Sequence, residues 1–186
     1  MGRRIITAVI VLSIVALGFY FDDLAWLLYA GIALIAVMCV EELTEMMRPR
    51  GLRLYRRVAI FGVLMLLVEA ILTSMQNSIV VLGLCTCFAL VVRLRGRVVG
   101  AWGDISATIF AIAYIGIPCA ALLRIFQIGS QGEAWLLMMM SIIWMTDSMA
   151  LFVGKKFGRI KLWPKISPGK TWEGAIGGVG GALLVA

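Results

Sequence analysis

At 186 residues the chain has room for one soluble domain or one compact helical bundle. Hydrophobic residues make up 62% of it and charged residues only 15%, which excludes an ordinary soluble domain and points to a polytopic membrane protein. The formal net charge of +7 sits in short loops between apolar runs, so membrane topology accounts for it and nucleic-acid binding is not expected. Histidine is absent, and any chemistry must therefore run on carboxylates, lysines and a metal held by oxygen.

A helix needs roughly 17 to 25 apolar residues to cross a bilayer. The first such stretch is residues 5–21, preceded by Arg3 and Arg4 and ended by Asp22 and Asp23. A signal peptide is the alternative reading, but the run continues as Phe-Tyr-Phe without a small-residue boundary. A second span covers 24 to about 40, and a polar stretch with five arginines follows, broken by Pro49 and Gly51. Glu41, at the end of the second span, is suited to hold one of these basic residues. The third span, 58–75, contains Glu69, which faces either the bundle or a partner. After the turn Gln76-Asn77-Ser78 the fourth runs to Val92. Asp104 is placed to N-cap a fifth span, 105–123, kinked by Pro118. The sixth is 134–153, and a seventh begins near Gly174.

The expected fold is thus all-α: a polytopic transmembrane helix bundle of six complete spans plus the start of a seventh, forming a single membrane-embedded domain over 1–186. With the N-terminus in the cytosol, sixteen of the 17 basic residues fall on the cytosolic side and only Arg124 lies outside. The positive-inside rule favours that orientation. Cys39, Cys85, Cys87 and Cys119 all lie in or at the ends of apolar runs. Cys85-Thr-Cys87 lacks the C-x-x-C spacing of metal and redox sites, so the cysteines read as packing residues.

The cytosolic loop 154–174 concentrates the chemistry. All five lysines, Lys155, Lys156, Lys161, Lys165 and Lys170, fall within sixteen residues of it. Ser167-Pro168 reads as a helix start, with serine as N-cap and proline in the first turn. Helix N-termini favour phosphate, and Lys165 and Lys170 would flank this one. The equally simple alternative is a basic loop meeting anionic lipid headgroups. Gly169-Lys170-Thr171 is not a nucleotide P-loop, because position 164 is proline where that pattern needs glycine. Asp147 lies within the sixth apolar run, between Thr146 and Ser148. An intramembrane carboxylate is a functional-site candidate by default. Helical spacing puts Asp147 about two turns before Lys155, so the two can face one cavity mouth. Gly174, Gly177, Gly178 and Gly181 form two overlapping G-x-x-x-G patterns, a signal for close helix packing.

From Trp144 through Gly178 the chain reads WMTDSMALFVGKKFGRIKLWPKISPGKTWEGAIGG. This closely resembles the phosphatidate cytidylyltransferase family, in which D-S-x-A-Y is followed by G-K-x-F-G, K-L, P-K-x-S-P-x-K-T-x-E-G and a G-G helix. Leu151 stands where that family usually has tyrosine. The family's further C-terminal signature, H-G-G and D-R-x-D, does not occur, so the chain reads as an N-terminal portion of such an enzyme. The resemblance implies transfer of a cytidylyl group from CTP to phosphatidate, giving CDP-diacylglycerol and pyrophosphate. It also implies Mg2+ as cofactor, a bacterial inner membrane location and a homodimer as an open option. Asp147 would serve catalysis and metal binding, and Lys170 catalysis. Ser148, Lys155, Lys165, Ser167, Thr171 and Glu173 would contact substrate. The rival readings are a CTP-dependent polyprenol or dolichol kinase and a non-catalytic subunit that binds lipid through the basic loop.

Overall fold

A computed structural model describes residues 25–73, 76–94 and 101–186; the expected first span lies outside them. Helices dominate, in two compact units, Met1–Arg124 and Ile125–Ala186. In the first unit, α1 (Ala25–Met47) ends in a 3-10 turn, and α2 (Arg56–Thr73) and α3 (Ser78–Leu94) follow. Then α4 (Ala101–Ala111) runs through a π-helical turn, Ile112–Gly116, into α5 (Ile117–Phe126). In the second, α6 (Gly132–Phe157) is joined by a two-stranded hairpin, β1 (Lys161–Trp163) and β2 (Ser167–Thr171), to α7 (Trp172–Val185).

The core of the first unit follows from helical spacing. Leu28, Ile32, Ala36 and Val40 form a buried row along α1, one residue per turn. On α2, Val58, Ala59, Val63, Leu66, Leu67 and Ala70 are buried. Small residues set how closely helices approach. A Cβ on Gly62 would lie 2.7 Å from Ile112 Cδ1, and one on Gly116 2.7 Å from Leu66 Cδ1. These contacts bring α2 against the π turn. That turn is the local answer to Pro118, which lacks an N–H and crowds the carbonyl one turn before it. The expected kink is therefore taken up as a wider turn just ahead of the proline. Cys85 is buried beside Gly62, in line with a packing role.

Three helices, Trp26–Arg50, Trp102–Phe126 and Gly129–Phe157, are long and apolar enough to cross a membrane. Ser78–Val91 and Trp172–Val185 are apolar but shorter, and α2 carries Arg56, Arg57 and Glu69 within its 18 residues. Hydropathy alone suggests six complete spans. Among the described residues, helices coincide with the second to sixth expected spans, and three of these helices are long and apolar enough to cross a membrane.

Two polar positions differ from expectation. Asp104 does not N-cap its helix, which starts three residues earlier. Its carboxylate instead accepts the backbone N–H of Arg53 at 2.8 Å, a partner 51 residues away that local sequence cannot reveal. Glu69 is buried and closes the α2–α3 turn. It accepts from the Thr73 hydroxyl at 2.8 Å, the Asn77 N–H at 2.9 Å and the Ser78 hydroxyl at 2.9 Å. Removing the carboxylate would strand a donor at the start of α3, at a cost of about 1–3 kcal/mol. Glu69→Ala should accordingly lower the thermal midpoint by several degrees and Glu69→Gln by less; an unchanged midpoint for Glu69→Ala would refute this role. Glu41 holds Arg56 at 3.1 Å, the ion pair its position suggests.

Candidate active site

The second unit is organised by glycine. Along α7, Gly174, Gly178 and Gly181 are buried, and each faces backbone or side-chain atoms of α6. A Cβ on Gly174 would lie 2.8 Å from the Ala150 carbonyl oxygen and 3.1 Å from Gly154 Cα. One on Gly178 would lie 3.0 Å from the Thr146 carbonyl oxygen, and one on Gly181 2.6 Å from Met149 Cγ. The overlapping G-x-x-x-G patterns do what their spacing suggests: they let two helix backbones touch.

The link between α6 and α7 is an antiparallel hairpin, where the sequence suggests a helix start at Ser167-Pro168. Pro164 sits at the second position of a tight turn closed by the Ile166 N–H and the Trp163 carbonyl at 3.1 Å. Lys161 pairs with Thr171 and Trp163 with Ser167. Between these pairs β2 has three residues, Pro168, Gly169 and Lys170, to the single Leu162 of β1, so the ladder is irregular there. Proline and glycine suit such a bulge, where a ladder donor is not required. Helix α7 begins four residues later than Pro168. Its N-cap is Thr171, whose hydroxyl accepts the Gly174 N–H at 3.2 Å. The Trp172 N–H donates to the Ile160 carbonyl at 3.0 Å, and the Ile160 N–H donates to the Glu173 carboxylate at 3.2 and 3.3 Å. These bonds clasp the hairpin base to the start of α7. Backbone N–H donors, first that of Glu173 itself and then those of Arg159 and Ile160, hold the Glu173 carboxyl below the usual range against some desolvation, with the Arg159 charge adding to them.

Where hairpin and helices meet there is a cleft of about 820 Å³, a size ordinary for a small-molecule site. Its polar lining comes from Thr146, Asp147 and Lys155 on α6, Lys161 on β1, and Lys170 and Thr171 on β2; Gly154, Gly158, Gly169, Gly174 and Gly178 keep it open. Asp147 and the three lysines are exposed, and no ion pair engages them among the described residues. Three ammonium groups and one carboxylate converge on an open space. The charge of such a set is complementary to a polyanion, and the carboxylate to a cation or a polar group.

Of the residues singled out from sequence, Asp147, Lys155, Lys170 and Thr171 come together in the cleft. Ser148, one residue from Asp147 on α6, does not line it. Neither do Lys165, in the hairpin turn, nor Ser167, at the start of β2. Glu173 is engaged by Ile160. Lys161 also lines the cleft, though the sequence does not single it out. Its signal is the Pro164 turn, which folds β1 back and sets Lys161 beside Thr171. For a metal, the chain offers one carboxylate here, since no group of three or more Cys, Asp, Glu or His converges among the described residues. Mg2+ commonly takes one or two protein carboxylates and completes its octahedron with phosphate oxygens and water. Asp147 fits a share of such a shell, and the described residues do not form a closed one.

The arrangement is a lysine-lined cleft at the end of a helix pair, one member of which is long and apolar enough to cross a membrane. Residues 2–186 match the Cytidylyltransferase family, and the chain belongs to that family. It is 43% identical over 76 residues to a phosphatidate cytidylyltransferase of Bacillus subtilis, covering 41% of this chain and 28% of that protein. It is 27% identical over 189 residues to one of Staphylococcus saprophyticus, covering all of this chain and 70% of that protein. To one of Staphylococcus aureus it is 39% identical over 82 residues, 44% of this chain and 30% of that protein. The chain thus matches less than a third of the length of two of these relatives. No solved structure matches it.

Proposed function

We propose that this chain carries the nucleotide-binding cleft of a membrane-embedded phosphatidate cytidylyltransferase. In the reaction, a phosphate oxygen of phosphatidate attacks the α-phosphorus of CTP; the new P–O bond forms as the bond to pyrophosphate breaks, giving CDP-diacylglycerol. The observation that carries this reading is the convergence of Lys155, Lys161 and Lys170 with Asp147 in one cleft, in a chain of the Cytidylyltransferase family. Transfer at phosphorus depends on positioning and on neutralising charge more than on covalent chemistry by the protein. Three ammonium groups would hold the triphosphate and stabilise charge on the departing pyrophosphate. Asp147 would hold Mg2+ jointly with phosphate oxygens, and the ion would polarise those oxygens. Thr171 would act mainly by fixing the backbone on which Lys170 stands. Ser148, Lys165, Ser167 and Glu173 would support binding from beside the cleft.

The protein is proposed to sit in a bacterial inner membrane with this loop in the cytosol, where CTP is found, and with the lipid entering sideways from the bilayer. A homodimer is compatible with this arrangement. The nucleotide product tests the reading. Full-length protein in phosphatidate-containing nanodiscs, supplied with CTP and Mg2+, should release pyrophosphate and form CDP-diacylglycerol. Release of CDP with phosphorylation of a lipid alcohol would instead make it a CTP-dependent lipid kinase, and no CTP-dependent product would make it a non-catalytic lipid-binding subunit.

A further inference from the structure

The segment 48–57 carries five arginines, and its backbone is pinned in place. The 3-10 turn Arg48–Arg50 ends at Gly51, whose φ of 76° favours glycine and whose N–H donates to the Arg48 carbonyl at 3.1 Å. Beyond it the chain is tied from beneath. The Arg53 N–H donates to the buried Asp104 carboxylate at 2.8 Å, and the Tyr55 N–H donates to the fully buried Thr108 hydroxyl at 3.0 Å. Thr108 in turn donates to the Asp104 carbonyl at 2.8 Å. Leu54, between the two tied amides, is buried.

On this frame Arg48, Arg50, Arg53 and Arg57 are exposed, and no ion pair holds them among the described residues. Arg56 differs, since Glu41 engages it. Glu42 and Glu45, within the last two turns before Arg48, are the nearby exposed acids along the chain. The loop follows directly on a helix, Trp26–Arg50, that is long and apolar enough to cross a bilayer. Setting topology requires only that positive charge be present. It does not require buried Asp104 and Thr108 to hold the loop's amides. A fixed loop spends less entropy on ordering arginines around a ligand than a mobile one does, and guanidinium groups match phosphate oxygens in pairs.

We propose that this arginine loop is a preorganised docking surface for the phosphate headgroups of anionic phospholipids at the membrane surface, built from residues other than those of the lysine-lined cleft. The proposal rests on the membrane reading above. The test places full-length protein in nanodiscs of phosphatidylcholine mixed with phosphatidylglycerol and measures the lipid retained after detergent extraction. Wild type should retain phosphatidylglycerol in excess over the bulk mixture. Neutralising each arginine should weaken this preference by about fivefold, and the combined Arg48→Gln, Arg50→Gln, Arg53→Gln, Arg57→Gln variant should return it to the bulk ratio. Equal enrichment in wild type and the folded combined variant, or none in wild type, overturns the docking surface and leaves the membrane reading intact. A chain that does not fractionate with membranes at all overturns both. Should the combined variant fail to fold, Arg50→Gln and Arg57→Gln alone must each reduce the enrichment, and no reduction in either overturns the proposal.

Discussion

Lys170→Ala in the full-length protein should lower kcat/KM for CTP by about 10²–10³, or roughly 3–4 kcal/mol of transition-state stabilisation. Lys170 lines the cleft immediately before Thr171. Thr171 is buried, caps α7 and pairs across the hairpin with Lys161. The ammonium group is therefore carried on backbone fixed from three sides, and binding does not have to order it first. Preorganised charge of this kind, aimed where negative charge grows, is what makes such groups effective. The substitution is at an exposed position, so the thermal midpoint should stay close to wild type. Lys170→Arg should recover part of the rate, because the charge returns while its shape differs. Lys165→Ala gives the contrast. Sequence alone treats the two lysines alike, but Lys165 sits in the hairpin turn away from the cleft lining and its loss should cost at most about tenfold, through general attraction of the anion. Near-normal turnover for Lys170→Ala, or equal losses for the two lysines, would remove Lys170 from the reaction.

The reason those two lysines separate also shows what the sequence can and cannot convey. The Asp147 to Lys155 relation is legible because both lie on one helix, where spacing alone fixes the face. The glycine pattern of α7 is legible for the same reason. The helix start is a different matter. Ser-Pro suits an N-cap and the beginning of an edge strand almost equally well, and the choice is made by bonds from Ile160 to Trp172 and Glu173, partners twelve and thirteen residues away. Those bonds shift the helix start to Thr171, move Ser167 into a strand and bring Lys161 into the site. Asp104 follows the same logic: a good N-cap residue by type is drawn instead to a distant amide of Arg53. Glu69 sits in an apolar run, which marks it as unusual, but its task becomes clear only when Asn77 and Ser78 fold back onto it. Counting spans by hydropathy finds the helices, and α2 keeps three charges within its length. Local pattern specifies elements, and polar contacts between them decide where they begin and what they present.

Gly174→Val should separate α6 from α7 and disable the cleft in one step. A side chain at this position meets the Ala150 carbonyl oxygen at 2.8 Å, the Thr171 hydroxyl oxygen at 3.0 Å and Gly154 Cα at 3.1 Å. Two of these three are backbone atoms, which cannot rotate away, so the helices themselves must part. Valine adds two further methyl groups at the point of contact. Gly174, Gly154 and Thr171 all line the cleft, and the displacement therefore falls directly on the site. Between apolar helices in a membrane, close packing is itself the main cohesive force, so the loss should be about 1–3 kcal/mol from overpacking, with activity falling at least about tenfold through misplacement of Lys170 and Asp147. Gly180 is the internal control. It lies on the same helix, where an added methyl group would meet nothing within 4 Å, and Gly180→Ala should be neutral or stabilise by up to about 1 kcal/mol through better helix propensity. Thermal unfolding in detergent and the CTP-dependent assay on both variants give the measurement. A stable, active Gly174→Val protein would mean that α6 and α7 do not pack along this glycine face, and the cleft built on that packing would go with it.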